Sequence, residues 1–335
     1  MSYLTNVDPS LMDIVKRSGS SNRREAFAAQ EELATAIQTP LREGMLKGDI
    51  VQNIFERMPL PPGAAPEFPL DLIAPGTESE FSAYTNPGHG RIPERSVESD
   101  YVMIHTYSIV NSVDWLMRYA RDARWDIVAR ATQALEAGFI EKMNRDGWHT
   151  ILAAGADRGI LVYDADAAAG QLTKRLIGLL KSTMKRNAGG NSASIKRGNL
   201  TDIYMSPEAQ TEISNWGVDQ LDEISRREVY RSFDGEGVTR IFGVNIHPIV
   251  ELGEGQEYQE YYENELSGTY GPDSDVELVV GLDLSSNDSF LMPIKQEVVV
   301  YTDENLHRSQ KAGLYASAEL GFGVLDNRRV LLGSF

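Results

Sequence analysis

The 335-residue chain contains no cysteine. Disulfides and thiolate metal sites are therefore excluded, and a reducing compartment such as the cytoplasm is the expected place of synthesis. No apolar run approaches the roughly 20 residues needed to span a bilayer. The opening segment MSYLTNVDPSLMDIVKRSGS also lacks the apolar stretch of a secretory signal, so a soluble, non-exported chain is expected. Catalytic signatures are missing too. No Gly-x-x-x-x-Gly-Lys-Ser/Thr, Gly-x-Ser-x-Gly or His-Glu-x-x-His occurs, and GEGVTR and GFGVLD each lack the third glycine of a dinucleotide loop. The five histidines, His89, His105, His149, His247 and His307, show no metal-ligand spacing. A lone histidine such as His89 or His105 is more often a surface or packing residue than a ligand.

Two further absences are local. Between Ala167 and Thr201 there is no acidic residue, while Lys174, Arg175, Lys181, Lys185, Arg186, Lys196 and Arg197 are basic. Between Ile241 and Ile294 there is no Lys or Arg, while Glu251, Glu254, Glu257, Glu260, Glu263, Glu265, Asp273, Asp275, Glu277, Asp283 and Asp288 accumulate. The formal net charge of -17 argues against a chain that wraps nucleic acid directly, because phosphate affinity rests on Lys and Arg displacing counterions. The plain reading of both blocks is two solvated faces. The sharper reading is that the basic block of one copy meets the acidic block of the next in a head-to-tail contact, the kind that generates rings or extended lattices.

What is present reads as a mixed α+β chain. Met1 to about Gly76 is an arm: NRREAFAAQEELATAIQTP is helical and expected to stop at Pro40, and RMPLPPGAAPEFPLDLIAPG is Pro-rich and extended. With little capacity for its own core, the arm is expected to be held by neighbouring copies. β-favouring residues on both sides of NPGHG predict a hairpin-like excursion from Glu78 to Val110. A long helix is expected from about Asn111 to Asn144, broken at Gly147, with Trp125, Val128, Leu135, Phe139 and Met143 on its apolar stripe. A second helix is expected from about Ala167 to Arg186, followed by the flexible basic loop NAGGNSASIKRGN.

In LTDIYMSPEAQTEISNWG, Leu200 to Met205 reads as a strand, Ser206 as a helix N-cap and Pro207 as the first helical residue. VDQLDEISRREVY reads as helix, and TRIFGVNIHPIV, VELVVGLDL and QEVVVYTD read as strands, as does the alternating GLYASAELGFGVLDNRRVLLGS. The alternation of Asp273, Asp275 and Glu277 is the best candidate for a hard cation, but it lacks the glycine and terminal glutamate spacing of a calcium loop. No carboxylate pair stands out as an acid-dependent hydrolase site.

This layout resembles the major capsid protein of tailed bacteriophages, the Hong Kong 97-type fold. The resemblance is strongest in LTDIYMSPEAQTEISNWGVDQLDEISRREVYRSFDGEGVTRIFGVNIHPIVELGEGQEY and in DLSSNDSFLMPIKQEVVVYTDENLHRSQKAGLYASAELGFGVLDNRRVLLGSF. It implies an N-terminal arm (1–76), an extended loop (77–110), a peripheral domain with a long spine helix (111–200) and an axial domain (201–335) whose last strands return to the peripheral domain. Tyr204, Ile213 and Trp216 would then pack in the axial core. The implied function is a structural, non-enzymatic head protein. It would assemble in the host cytoplasm into pentamers and hexamers of an icosahedral or prolate virion shell around double-stranded DNA, with portal and cementing partners and neither cofactor nor membrane. A bacterial nanocompartment shell of the same fold is the alternative. The inter-subunit contacts expected are Lys174, Arg175, Lys185, Arg186, Lys196 and Arg197 against Glu251, Glu254, Glu257 and Glu260.

The type member of that family crosslinks a loop lysine to a neighbour's asparagine. This chain has no lysine between Lys47 and Lys142, so the predicted extended loop lacks the nucleophile. Mature particles are therefore expected to run on a denaturing gel as one band at the chain's own mass. A crosslinked ladder is the contrary result.

Overall fold

A computed structural model of the chain describes residues 9–48, 53–61, 63–69, 101–122, 125–167, 170–187, 198–216, 240–271, 277–303 and 309–335. They fall into two compact units, one drawn from Met1–Pro66, Ile104–Gly147 and Met292–Phe322, the other from Glu67–Met103, Trp148–Leu291 and Gly323–Phe335.

The first unit begins with helices α1 (Pro9–Ser18) and α2 (Arg23–Gly48). The side-chain oxygen of Asn22 accepts from the Arg24 N–H and so caps the start of α2. Ala26, Ala29, Leu33, Ile37 and Leu41 recur at helical spacing and are buried, as is Val15 of α1. The helix does not stop at Pro40 as expected. Pro40 is exposed, so water can solvate the carbonyl that it leaves without a donor, while buried Ile37 and Leu41 hold the turns on either side. Nor is the arm without a core in its own chain, because Gln38 donates to the Val298 carbonyl and Arg42 pairs with Glu297. The expectation that the arm has little capacity for a core is corrected by its buried residues and these contacts.

Strands β1 (Glu56–Pro59), β4 (Tyr107–Leu116), β10 (Phe290–Thr302) and β11 (Lys311–Leu320) form a sheet in the order β1-β10-β11-β4. The β11–β4 ladder is antiparallel and runs from Lys311↔Leu116 to Leu320↔Tyr107. Ile109, Trp115, Leu314, Ala316 and Ala318 point inward and are buried. Helix does not begin at Asn111 as expected. Instead, the period-2 alternation in NSVDWL (Val113 and Trp115 inward, Ser112 and Asp114 outward) pairs residue for residue with β11. Helix follows only as the short α3 (Met117–Arg121) and then as the long α4 (Trp125–Asp157). α4 also passes through Gly147 rather than breaking there. A mid-helix glycine costs about 1 kcal/mol, and fully buried Trp148, Ile151 and Leu152 just beyond it outweigh that at roughly 1.5–3 kcal/mol per large apolar side chain. Leu135, Phe139 and Met143 are buried as expected. At Gly138 a Cβ would lie 2.5 Å from the Asn111 side-chain nitrogen, which donates to the Leu135 carbonyl, so a larger residue would displace that hydrogen bond between strand and helix.

The second unit is built on a six-stranded sheet containing β5 (Leu161–Tyr163), β6 (Asp202–Met205), β7 (Arg240–Ile241), β8 (Val244–Pro248), β9 (Leu278–Leu282) and β13 (Val330–Ser334). The order is β5-β13-β9-β6-β8-β7, with β13–β5 and β6–β8 parallel and the other pairs antiparallel. Strands β2 (Glu67–Pro69) and β3 (Tyr101–Met103) pair separately, and β12 (Gly323–Val324) pairs with the start of β10. Helix α5 spans Lys174–Asn187, later than expected, because Thr173 caps it by accepting from the Leu176 N–H and donating to Asp164. TRIFGVNIHPIV is a tight hairpin, β7–β8, rather than one strand. Val218–Tyr230, the excursion up to Asp100 and most of the basic loop lie outside the described residues.

Both faces of this sheet are covered. Ile203 and Met205 of β6 join Val244, Ile246, Val279 and Leu331 in a core against α5 (Leu176, Ile177, Leu180, Met184) and α6 (Pro207–Asn215; Ala209, Ile213). The alternate residues face the other way: Tyr204 packs edge-on against Trp148 of α4 at 4.9 Å, and Trp148 in turn meets Tyr258 of α7 (Glu257–Asn264) at 6.0 Å.

The stretch that ends β6 behaves as read. Ser206 caps α6 by accepting from the Ala209 N–H at 3.0 Å, Pro207 follows it, and Tyr204, Ile213 and Trp216 are buried. The Trp216 indole N–H donates to the Leu172 carbonyl at 2.8 Å. Ser206 also donates to Glu277 at 2.5 Å, so one hydroxyl ties the helix start to the residue preceding β9. Ser206→Ala removes both bonds and leaves a buried N–H unpaired, at an expected loss of about 1–2 kcal/mol, to be read from the urea midpoint at unchanged slope.

Candidate functional site

Among the described residues no group of three or more His, Cys, Asp or Glu side chains is placed to hold a metal ion. Asp273 and Asp275 lie outside them, and Glu277 is engaged with Ser206. Burial raises the Glu277 pKa and the negative charges of Glu208, Glu212 and Glu254 raise it further, against the Ser206 hydrogen bond. A carboxylate held this way is a structural strut at the sheet end, where Glu277 and Phe335 also exchange backbone hydrogen bonds.

The features that distinguish the second unit are its outer surfaces. On α5 the inward stripe is apolar and the outward residues are basic. Lys174, Lys181 and Lys185 follow one line along the exposed face, with Arg175 and Arg186 beside it. Arg175 pairs with Asp164 and Asp166, and its guanidinium pKa is raised by the hydrogen bond to Asp166 and by both carboxylates. The Lys181 ammonium donates to the Phe242 carbonyl at 3.0 Å, and that of Lys174 lies 5.3 Å from the Phe242 ring centroid. Lys185 and Arg186 are exposed in the last turn, where positive charge suits the helix dipole, and neither has an ion-pair partner among the described residues. Lys196 and Arg197 lie outside the described residues.

On the opposite face of the same sheet, α7 buries Tyr258, Gln259 and Tyr262 and exposes Glu257, Glu260 and Glu263. Glu251 and Glu254, in the loop before it, are exposed as well. α7 is seated by its aromatics: Tyr261 stacks on His149 at 3.7 Å, and Tyr258 lies against Trp148. The structure thus gathers four of the ten predicted contact residues on an acidic face. It gathers four others on α5, which packs on the other side of the sheet.

Sequence reasoning missed a polar group that braces the acidic side. Asp202 accepts from Asn245 at 3.0 Å and meets His247 Nε2 at 2.9 Å, and the His247 ring stacks on Tyr204 at 4.8 Å. Burial alone would raise the Asp202 pKa, but hydrogen bonds from His247, Thr201 and Asn245 hold it below the ordinary aspartate range. The signal was available: Asp202, Asn245 and His247 are the polar members of alternating strands. A second omission is the outer face of the first unit's sheet, where Tyr301 and Tyr315 pair across strands, stacked at 5.1 Å, and Val110 is 61% exposed.

No protein-family model and no characterised protein sequence matches the chain. Solved structures do. The capsid of an empty GTA particle matches at TM-score 0.56 and 13% identity, over 86% of this chain and 90% of that one. Microbacterium phage Oxtober96 matches at 0.54 and 11%, over 86% and 91%. The capsid of cyanophage P-SCSP1u matches at 0.53 and 13%, over 85% and 88%. The chain has a phage capsid fold. At these identities the likeness lies in the path of the chain, and the side chains on the exposed faces are this protein's own. None of its helices among the described residues is long and apolar enough to cross a membrane.

Since the folded Asp202 pKa is depressed, the stability it contributes is complete above the unfolded value of about 3.9 and is lost as pH falls from there through the folded value. Asp202→Asn is expected to flatten the acid limb of the stability curve relative to wild type, as measured by urea unfolding at a series of pH values. Parallel acid limbs would show that the group carries no such linkage.

Proposed function

We propose that the chain is the major capsid protein of a tailed bacteriophage, assembling as pentamers and hexamers into a closed shell around double-stranded DNA. The observation that carries this reading is the shared fold, which covers 86% of this chain and 90% of a GTA capsid chain. In this reading residues 1–76 are the arm, 77–110 the extended loop, 111–200 the peripheral domain with α4 as its spine, and 201–335 the axial domain returning to the peripheral one. Portal and cementing proteins are its partners, and the head of the virion, built in the host cytoplasm, is its location. In this reading the protein's work is mechanical.

Charge supports the same reading. A container for DNA must not bind its contents tightly, and a net charge of -17 repels phosphates rather than displacing their counterions. Oppositely charged surfaces on opposite faces of one unit favour pairing between copies. Lys174, Arg175, Lys185, Arg186, Lys196 and Arg197 would face Glu251, Glu254, Glu257 and Glu260 of a neighbour. Arg175 contributes least, since Asp164 and Asp166 already engage it.

The test is negative-stain electron microscopy of the expressed protein with a nuclease-protection assay. Closed shells protecting DNA are expected, whereas small soluble oligomers under all conditions would overturn the proposal. The variant Lys185→Glu with Arg186→Glu is expected to remain folded and to form no shells. Normal particles from it would remove charge pairing as the basis of assembly.

A further inference from the structure

The turn joining β7 to β8 consists of Phe242 and Gly243, with φ of 51° and 78°. Two consecutive left-handed residues are what the type I′ hairpin turn requires, and its favoured pair is Asn-Gly or Asp-Gly. Gly243 fits without strain. Phe242 does not, because a bulky side chain in this region crowds its own backbone. Burial fails to compensate, since Phe242 is 41% exposed. What holds the turn is α5: Lys181 donates to the Phe242 carbonyl, and Lys174 lies over the ring. The chain therefore maintains an exposed aromatic ring on a strained backbone, braced by two cations. Strain of this kind points to function when the fold alone does not need the residue.

On the acidic side, at the C-terminal end of α7, lies an open pocket of about 140 Å³, lined by Ala156, Ile160, Leu161 and Leu332 together with the polar Ser267 and Thr269. A cavity of about 150 Å³ accommodates benzene, so by volume this pocket has room for one phenyl ring. Glu263 and Glu265, both exposed, stand between Tyr262 and Leu266 in the sequence.

We propose that Phe242 of one copy inserts into this cavity of the next copy, with its flanking Lys174 and Lys181 set against the neighbour's Glu263 and Glu265. Size and charge match at once. The contact joins two different surfaces of the same chain, so it propagates from copy to copy, closing into a ring or extending into a lattice as the angle dictates. A buried aromatic ringed by charge is also the usual anatomy of an energetic hot spot. The inference rests on the shell reading for its biological meaning, and it names the anchor that charge pairing alone does not supply.

Two variants test it from either side. Phe242→Asn removes the ring and installs the favoured Asn-Gly turn, and Ala156→Leu fills the seat from the helical wall. The expected result is that Phe242→Asn melts at or above the wild-type temperature, while each variant alone needs at least tenfold more protein to associate in sedimentation velocity. Mixed, they complement once: the Phe242 of the Ala156→Leu chain enters the open cavity of the Phe242→Asn chain. The mixture is expected to give heterodimers that grow no further. Association of either variant at the wild-type concentration, or a mixture that stays monomeric, overturns the contact. Wild-type protein forming only short head-to-tail oligomers would remove the shell reading and leave the contact standing.

Discussion

The constraint on which the second unit depends is the two-sided burial of its sheet. Every residue of β6 is buried, so each must satisfy a different face in turn. Ile203 and Met205 fill the core beneath α5 and α6. Asp202 and Tyr204 face α4 and α7, where Tyr204 finds Trp148 and Asp202 finds Asn245 and His247. This alternation decides which helix lies on which side, and the helices carry the charge. A basic face and an acidic face separated by the thickness of a sheet follow from it.

Polar contacts at the strand ends finish what the apolar core begins. Ser206 ends β6, starts α6 and reaches Glu277. Asp283, fully buried, accepts the backbone N–H groups of Gly198, Asn199 and Ser285 and so fixes where the chain returns to the sheet. Arg329, almost fully buried, donates to the Ser286 carbonyl and pairs with Asp288. Buried charges persist only where such partners surround them. They are the reason an acidic chain can keep carboxylates inside as well as outside.

Legibility from sequence followed the strength of local signals. The N-cap at Ser206, the strands of the C-terminal third and the apolar stripe through Leu135, Phe139 and Met143 were readable because side-chain chemistry and periodicity agree there. The boundaries that shifted are those where tertiary context outweighs local preference. Asn111–Leu116 has helix-compatible neighbours, yet β11 offers a ten-residue ladder. Pro40 and Gly147 are breakers in isolation, but buried residues on both sides carry α2 and α4 through them. The arm looked coreless because its anchoring contacts, Gln38 with Val298 and Arg42 with Glu297, are made to a distant segment of the chain. Of the candidate site residues, the sequence showed the sign of each block and not the face it occupies.

By itself, then, the sequence determined composition-level facts: a cysteine-free acidic chain without catalytic motifs, two blocks of opposite charge, and the positions of its strongest caps and stripes. Those depend on residue type and on spacings of a few residues, which short-range physics reads directly. Only the tertiary structure decided that the blocks lie on opposite faces of one sheet, that Asp202 and His247 meet across parallel strands, and that Phe242 is exposed in a left-handed turn. Each of these depends on contacts between residues tens of positions apart, whose pairing is set by how whole elements bury their apolar faces and not by any local pattern.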